Sequence, residues 1–390
     1  MRREVLMSYY EGLPFFLCLA VVLLGAAVLG WLEKPLRWYS FGVSLFFAAA
    51  VFYDAPTDLI YLLVFYGWSM ALIMGYAKIR SSQGRKAGIY HAAVLLSLIP
   101  LVLCKVTPLF HKSIFGFVGI SYLTFRVVQM LIELYDGVIK QVSFAETTAF
   151  LVFFPSFSSG PIDRSRRFQK DYLGTRSREE YMDLCGRGLW KLLLGAVYKM
   201  VFAAAAYKVM GYLETGTMWY HWIGYAYAYG MYLFFDFAGY SMMAVGSSYV
   251  LGVELPDNFR MPFISRDIRE FWDRWHISLS HWFRDFVFTR FIMYSAKKKW
   301  FGSRLQRACA GFFVNMGIMG LWHGLSVSYI LYGLYHGALL AITEVYQKKS
   351  AFYKKNKNEK WYQILSWVIT MQLVMFGFFL FSGKLVSLFS

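Results

Sequence analysis

Long runs without a charged side chain alternate with short basic loops along this chain. Residues 13–32, 38–53, 59–77 and 87–104 contain no Asp, Glu, Lys or Arg. A hydrocarbon core of about 30 Å takes about 20 helical residues, so each run predicts a helix in a bilayer. Residues 113–135 repeat the pattern but carry Arg126 and Glu133. Residues 144–162 are apolar yet broken at Pro155 and Gly160-Pro161, which predicts a re-entrant or short broken element. Residues 163–191 hold eight basic and five acidic residues and belong outside the hydrocarbon.

The second half is less regular. Residues 192–213 predict a span containing Lys199 and Lys208, and 215–253 carry one charge, Asp236, over a length sufficient for two crossings. Residues 254–307 combine eleven basic and six acidic residues with many aromatics, as expected of an interfacial segment with a partly inserted helix. The 36 positions of 308–343 are free of Asp, Glu, Lys and Arg. As helix they would extend about 54 Å, too far for one crossing, so a break is expected near Trp322-His323-Gly324. A six-lysine segment at 346–360 precedes a last uncharged run, 361–383. The pattern predicts an all-α polytopic membrane protein with about eleven crossings plus re-entrant or interfacial helices. It reads as one integral membrane domain over 1–390, made of N-terminal helices 1–112, a core 113–345, and a basic loop with a last helix 346–390. The positive-inside tendency places the 78–86 and 346–360 loops in the cytoplasm and leaves the sidedness of the termini open.

Composition agrees. Hydrophobic residues make up 58% and charged residues 16%, too few charges to coat a soluble protein of this length. The net charge of +17 fits basic loops that set topology and meet anionic lipid headgroups. No module for nucleic acid is present. Cys18, Cys104, Cys185 and Cys309 are far apart, with no CxxC, so neither a disulfide framework nor a zinc site is expected. Residues 13–32 lack a convincing small-residue cleavage site and are followed by more spans, so a cleavable signal is not expected.

Soluble-enzyme motifs are missing: no GxSxG elbow, no Walker loop, no HExxH. What remains is the polar set the membrane must tolerate, each member a functional candidate by its cost: Arg126, Asp236, His323, His336 and the interfacial His276. Arg126 and Asp236 are as readily structural partners, and His336 and His91 read as helix–helix hydrogen-bonding residues. His323 stands out, because it sits at a helix break, where freed backbone groups need protein or a water-filled cavity. Glycines at 317, 320 and 324 permit close approach there. As a helix, residues 275–286 would align Trp275, Leu279, Trp282 and Phe286 on one apolar face, an arrangement suited to an interfacial helix.

Trp275-His276-Ile277-Ser278-Leu279-Ser280-His281-Trp282-Phe283-Arg284-Asp285, followed 47 residues after His276 by a second His in Gly320-Leu321-Trp322-His323-Gly324, resembles the membrane-bound O-acyltransferase family. Three further blocks agree: 154–162 (FPSFSSGPI), 236–241 (DFAGYS) and 255–260 (LPDNFR). The resemblance runs from about residue 115 to 340. It is nearest to the branch that D-alanylates lipoteichoic and wall teichoic acid in the Gram-positive cell membrane, the Dlt system. The alginate-type O-acetyltransferase branch, which usually has Asp after Gly-Tyr-Ser where this chain has Met242, is the alternative. A flippase or transporter would predict two related halves, and no such symmetry is visible.

The resemblance implies a central tunnel with His323 and His276 as catalytic residues. Asp236, Trp275, Ser278, Trp322 and Asn258 would line or support that tunnel. It implies no bound cofactor and no metal, the acyl group arriving as a thioester on the phosphopantetheine of a D-alanyl carrier protein. The partners implied are that carrier, other Dlt-system membrane proteins, a teichoic acid acceptor and membrane lipids. Whether the acyl group passes first to a relay protein, and whether an acyl-enzyme forms, stays open. Arg284, Arg290, Lys297, Lys298 and Lys299 would dock the acidic carrier.

Overall fold

A computed structural model describes residues 7–110 and 114–387. The 112/113 boundary expected from sequence lies outside the described residues. Those residues form helices and connecting turns with no strand among them, as the absence of water in a bilayer requires of a non-barrel chain. By contacts they divide into two compact units, Met1–Ala196 with Tyr240–Pro256, and Val197–Gly239 with Asp257–Ser390.

The first unit opens with α1 (Gly12–Trp31), α2 (Arg37–Val51), α3 (Pro56–Gln83) and α4 (Ala87–Val106). At 15 residues, about 22 Å, α2 is short for a full crossing. Helix α5 (Ile120–Asp136) is almost wholly buried. Helix α6 (Phe144–Val152) gives way to a 3-10 turn, Phe154–Ser156, and an irregular stretch through Gly160-Pro161, the break that Pro155 predicts. That break leaves helix C-terminal carbonyls without partners, and Arg126 supplies them. From α5 its guanidinium donates to the carbonyls of Phe150 (2.6 Å), Leu151 (3.0 Å) and Ser156. Arg126 is fully buried, and these bonds offset the desolvation of its charge. It is a structural clamp.

Helices α7 (Ser165–Leu173) and α8 (Arg178–Val197) follow. The second part of the basic stretch is helical and runs on into the next span. Helix α8 continues through a π-helical turn, Tyr198–Ala203, into α9 (Ala204–Glu214), a helical run from Arg178 to Glu214 that is apolar enough to cross a membrane. Among the described residues, α1, α3, α17 (below) and the run beginning at α4 also meet that criterion.

Residues 215–253, expected to cross twice, form a single 32-residue helix, α10 (Trp219–Val250). The run contains no proline to end it, and Gly230 serves close packing instead: a Cβ there would lie 2.8 Å from Met375 Sδ. In the second unit, α11 (Ile268–Trp272), α12 (Ile277–Phe283), a π-helical turn Arg284–Phe288 and α13 (Thr289–Lys297) replace the expected amphipathic helix. The 308–343 run breaks where predicted. Helix α14 (Arg304–His323) ends at Gly324 and α15 (Val327–Lys349) returns beside it. Glycines make that approach possible, since a Cβ on Gly320 would lie 2.5 Å from the Tyr329 carbonyl oxygen and one on Gly333 2.5 Å from that of Met316. Gly317, in contrast, faces open space. The short α16 (Ala351–Asn356), α17 (Lys360–Phe381) and α18 (Lys384–Ser387) complete the chain.

Candidate active site

His276 occupies the left-handed region, φ 45° and ψ 51°, immediately before α12. It therefore stands outside that helix, and the periodicity from Trp275 to Phe286 is not that of one continuous helix. The first N–H groups of a helix need acceptors, and the His276 side chain provides none. Asn258, eighteen residues earlier, does so. Its Oδ1 accepts from the Ser278 N–H (3.2 Å) and the Ser278 hydroxyl (2.6 Å), while its carbonyl accepts from the Ile277 N–H (2.9 Å). Capping from a distance lets the imidazole face away from the start of α12. The Phe237 ring meets it edge-on at 4.6 Å, and Phe237 and Trp275 both pack on Phe259. Trp275 is core, enclosed by Phe259, Phe271 and Phe378.

His323, the last residue of α14, sits among the rings of Trp322 (4.6 Å), Phe381 (5.0 Å), Tyr329 (6.0 Å) and Tyr332 (6.2 Å). It is near enough to His276 to act on it electrostatically. Burial first, and then His323, holds the His276 imidazole well below its ordinary value of 6.5, so it is neutral at pH 7. His336 on α15 accepts at Nδ1 from Trp272 Nε1–H of α11 (3.3 Å) and packs on Tyr332, the ring that also meets His323. His91 is exposed on α4, so its expected helix–helix role is not seen. Asp236, one residue before Phe237, pairs with Lys199 at 2.6 Å, tying α10 to the π-helical turn.

A cavity of about 640 Å³ opens beside α14. Arg269, Arg284, Arg304 and Arg307 stand on its wall with the acids Asp273 and Glu344, and Trp272, Phe312, Met316 and Met319 line its apolar part. From α14 the lining residues are Arg304, Arg307, Ala308, Phe312, Asn315, Met316 and Met319. They recur every three or four residues and so form one face of the helix. His323 is the next position in that register, about 6 Å beyond Met319 along the axis.

Residues 57–386 match the membrane-bound O-acyltransferase family. The chain belongs to that family. It is an acyltransferase. It is 41% identical over 390 residues to the teichoic acid D-alanyltransferase of Bacillus subtilis (strain 168), spanning 97% of this chain and 98% of that protein. It is 37% identical over 397 residues to the teichoic acid D-alanyltransferase of Streptococcus thermophilus, at 97% and 95%. A probable alginate O-acetylase AlgI of Pseudomonas aeruginosa is 33% identical over 271 residues, covering 68% of this chain and 49% of that protein.

Within this acyltransferase, the residues singled out from sequence divide into two groups. Asn258 and Ser278 pack beside the His276 turn, Trp322 packs on His323, and both groups lie in the second unit. Of the five basic docking candidates only Arg284 reaches the cavity, while Lys297, Lys298 and Lys299 are exposed at the end of α13 and beyond. Sequence reasoning passed over Arg304, Arg307 and Trp272. The spacing of Arg304, Arg307, Asn315 and Met319 toward His323 on one helix face was the available signal. Among the described residues no cluster of His, Cys, Asp or Glu could hold a metal ion.

Proposed function

We propose that this acyltransferase transfers D-alanine from a carrier-borne pantetheine thioester toward teichoic acid at the plasma membrane of a Gram-positive bacterium. The observation that carries the reading is the α14 face that leads from the basic mouth of the cavity to His323. The full-length similarity to teichoic acid D-alanyltransferases supports the choice of acyl group and acceptor.

A thioester is already activated, so catalysis reduces to deprotonating a hydroxyl and holding both reactants in line. His323 is the base: it takes the acceptor proton as the hydroxyl oxygen attacks the thioester carbonyl, and it returns that proton to the sulfur as the carbon–sulfur bond breaks. His276, neutral and buried, donates a hydrogen bond to the carbonyl oxygen or sulfur as negative charge develops. Asn258 and Ser278 are positioning residues that fix the His276 turn. Trp322 shields His323 from one side. The basic cavity mouth, with Arg284 on its wall and Arg290 and Lys297–299 beyond it, receives the acidic carrier by charge complementarity.

His323→Ala should lower D-alanyl transfer from the loaded carrier by about 10²- to 10⁴-fold while the purified protein keeps its unfolding profile. A folded variant with more than about a tenth of parental activity would remove His323 from the base role.

A further inference from the structure

We propose that a second cavity, between α15, α16 and α17, holds one anionic glycerophospholipid of the surrounding membrane, bound through its phosphate. This cavity shares no lining residue with the one beside α14.

It measures about 590 Å³ and lies wholly in the second unit. Its level in the bilayer follows from α17. Trp361 and Tyr362, at the start of that helix, cluster with Phe352, Tyr353 and Tyr346 at ring separations of 5.6 to 6.1 Å. Aromatic side chains gather in this way where bilayer meets water, and six lysines between 346 and 360 surround the same level. From there the α17 lining runs through Ser366 and Ile369 to Leu373. Tyr362 to Leu373 is about 16 Å along the axis, close to half of a hydrocarbon core of about 30 Å. The cavity therefore has the depth of one leaflet. It is also open sideways: Leu365 and Ile369 line it yet remain 45% and 50% exposed, and Ile364 and Val368 face outward beside them. An acyl chain entering between them would cover apolar surface that water leaves unsatisfied.

The polar groups on the wall select the headgroup. Lys357 and Asn358 stand at the mouth, on the loop between α16 and α17. Gln363 holds that loop through both of their carbonyls (3.4 and 3.5 Å), so the ammonium and the side-chain amide remain as donors. Arg266 belongs to the deeper wall. Its carbonyl accepts from the Thr370 hydroxyl (3.1 Å), eight residues past Tyr362 and so about 12 Å further in. The Arg266 side chain is half-exposed, and a charge at that depth is costly unless it extends to the interface or to a counter-ion. Glu270 answers it only in part, lying 3.6 Å from Arg266 but 2.9 Å from Arg274. The other acid on the wall, Asp267, is taken up by the Glu270 N–H (2.8 Å) and by Gln347 (3.0 Å). The carboxylates of the wall are thus engaged while Lys357 and Arg266 keep donors to spare. A phosphodiester between these two cations would accept charge-assisted bonds from both, with its chain laid along Ile369 and Leu373. The lysine-rich surface around the mouth favours an anionic lipid over a neutral one.

The test is native mass spectrometry of the full-length protein, reconstituted in nanodiscs of phosphatidylglycerol and phosphatidylcholine in equal amounts and released into mild detergent. The parent should retain phosphatidylglycerol over phosphatidylcholine by about 10-fold or more, the range of one or two charge-assisted bonds. Arg266→Gln with Lys357→Gln should bring the two lipids to within about twofold. Ser366→Trp, which fills the cavity and leaves its charges in place, should lower retention of both. Equal retention of the two lipids by the parent overturns the site, as does an undiminished preference in the double variant. A second measurement needs no variant: phosphatidylglycerol carrying a diazirine on its acyl chain should crosslink the parent chiefly within residues 365–373. Labelling spread evenly over α1, α3 and α17 would reduce the cavity to ordinary lipid contact and overturn the proposal. Glycerol 3-phosphate, an anion without chains, should leave retention unchanged at millimolar concentration. Displacement by it would assign the cavity to a water-borne phosphate and overturn the lipid as its occupant.

Discussion

Replacing His276 by Gly, Asn and Ala separates what its side chain does from what its backbone costs. All three remove the imidazole that packs edge-on against Phe237 at 4.6 Å, so that loss cancels when the variants are compared with one another. They differ in tolerance of φ 45° and ψ 51°. A residue bearing Cβ pays about 1–2 kcal/mol there. Glycine escapes that penalty but gives back about 0.4–1 kcal/mol through the greater freedom of the unfolded chain. His276→Gly should therefore be more stable than His276→Ala by about 0.5–1 kcal/mol, with His276→Asn between them, since asparagine tolerates this region. For a unit of this size that is about 1–4 °C in the unfolding midpoint, measurable on purified protein in detergent. Transfer from the loaded carrier should fall at least about 100-fold in all three. An alanine variant as stable as the glycine variant would show that the turn is unstrained. A folded variant of near-parental activity would reduce His276 to a packing residue.

Asn258→Ala removes both acceptor contacts to Ser278, one of them to the first free N–H groups of α12, and should cost about 2–4 kcal/mol. Ser278→Ala, which spares the N–H bond, should cost only about 1 kcal/mol, and equal losses in the two would refute the distant cap. Burial opposes ionisation of Glu270, but the Arg266 N–H and the guanidinium groups of Arg274 and Arg266 outweigh it and hold its pKa below 4.5. Its contribution is thus present above the unfolded pKa and lost as pH falls through the lower folded value. Parent and Glu270→Gln should differ in unfolding midpoint at pH 6–7 and converge as the pH falls through the lowered folded value, and a constant gap would contradict the pairing. Reversing two or three charges among Arg284, Arg290 and Lys297–299 should slow carrier association and flatten its salt dependence. Unchanged rates across a salt series would move the docking surface elsewhere.

The features legible in sequence are those whose cause is local or set by the bilayer. A 36-residue uncharged run cannot be one crossing, and Gly324 ends α14 where that length and the Trp-His-Gly cluster place the break. Pro155 interrupts α6 because proline cannot extend a helix. What escaped depends on distant partners. Trp275, Leu279, Trp282 and Phe286 repeat with helical spacing, yet the chain turns at His276, because an acceptor from Asn258 starts α12 one residue later. The 39-residue stretch around Asp236 was long enough for two crossings, and nothing in its composition distinguishes two helices from the one that forms. Arg304 and Arg307 read as topological charges until the cavity wall assembled by α11, α12, α14 and α15 places them on its rim.

Several departures from local preference in the second unit lie beside His276 or on the cavity wall. His276 holds a left-handed backbone, Arg304 and Arg307 crowd the positive end of a helix, and π-helical turns occupy Tyr198–Ala203 and Arg284–Phe288. Each is unfavourable in isolation, and such departures gather where function constrains the chain. Each here also has a geometric consequence. The first π-helical turn carries Lys199, whose ion pair holds Asp236 one residue before Phe237, the ring that meets His276. The second separates α12 from α13 and carries both Arg284 and Phe288 onto the cavity wall. The left-handed turn detaches His276 from the helix that follows, so its ring is oriented by Phe237 rather than by helical register. Packing alone explains none of these choices, since an uninterrupted helix through 275–297 would bury its apolar face as well. On the proposed function, each of them helps to set His276 or the cavity wall beside α14.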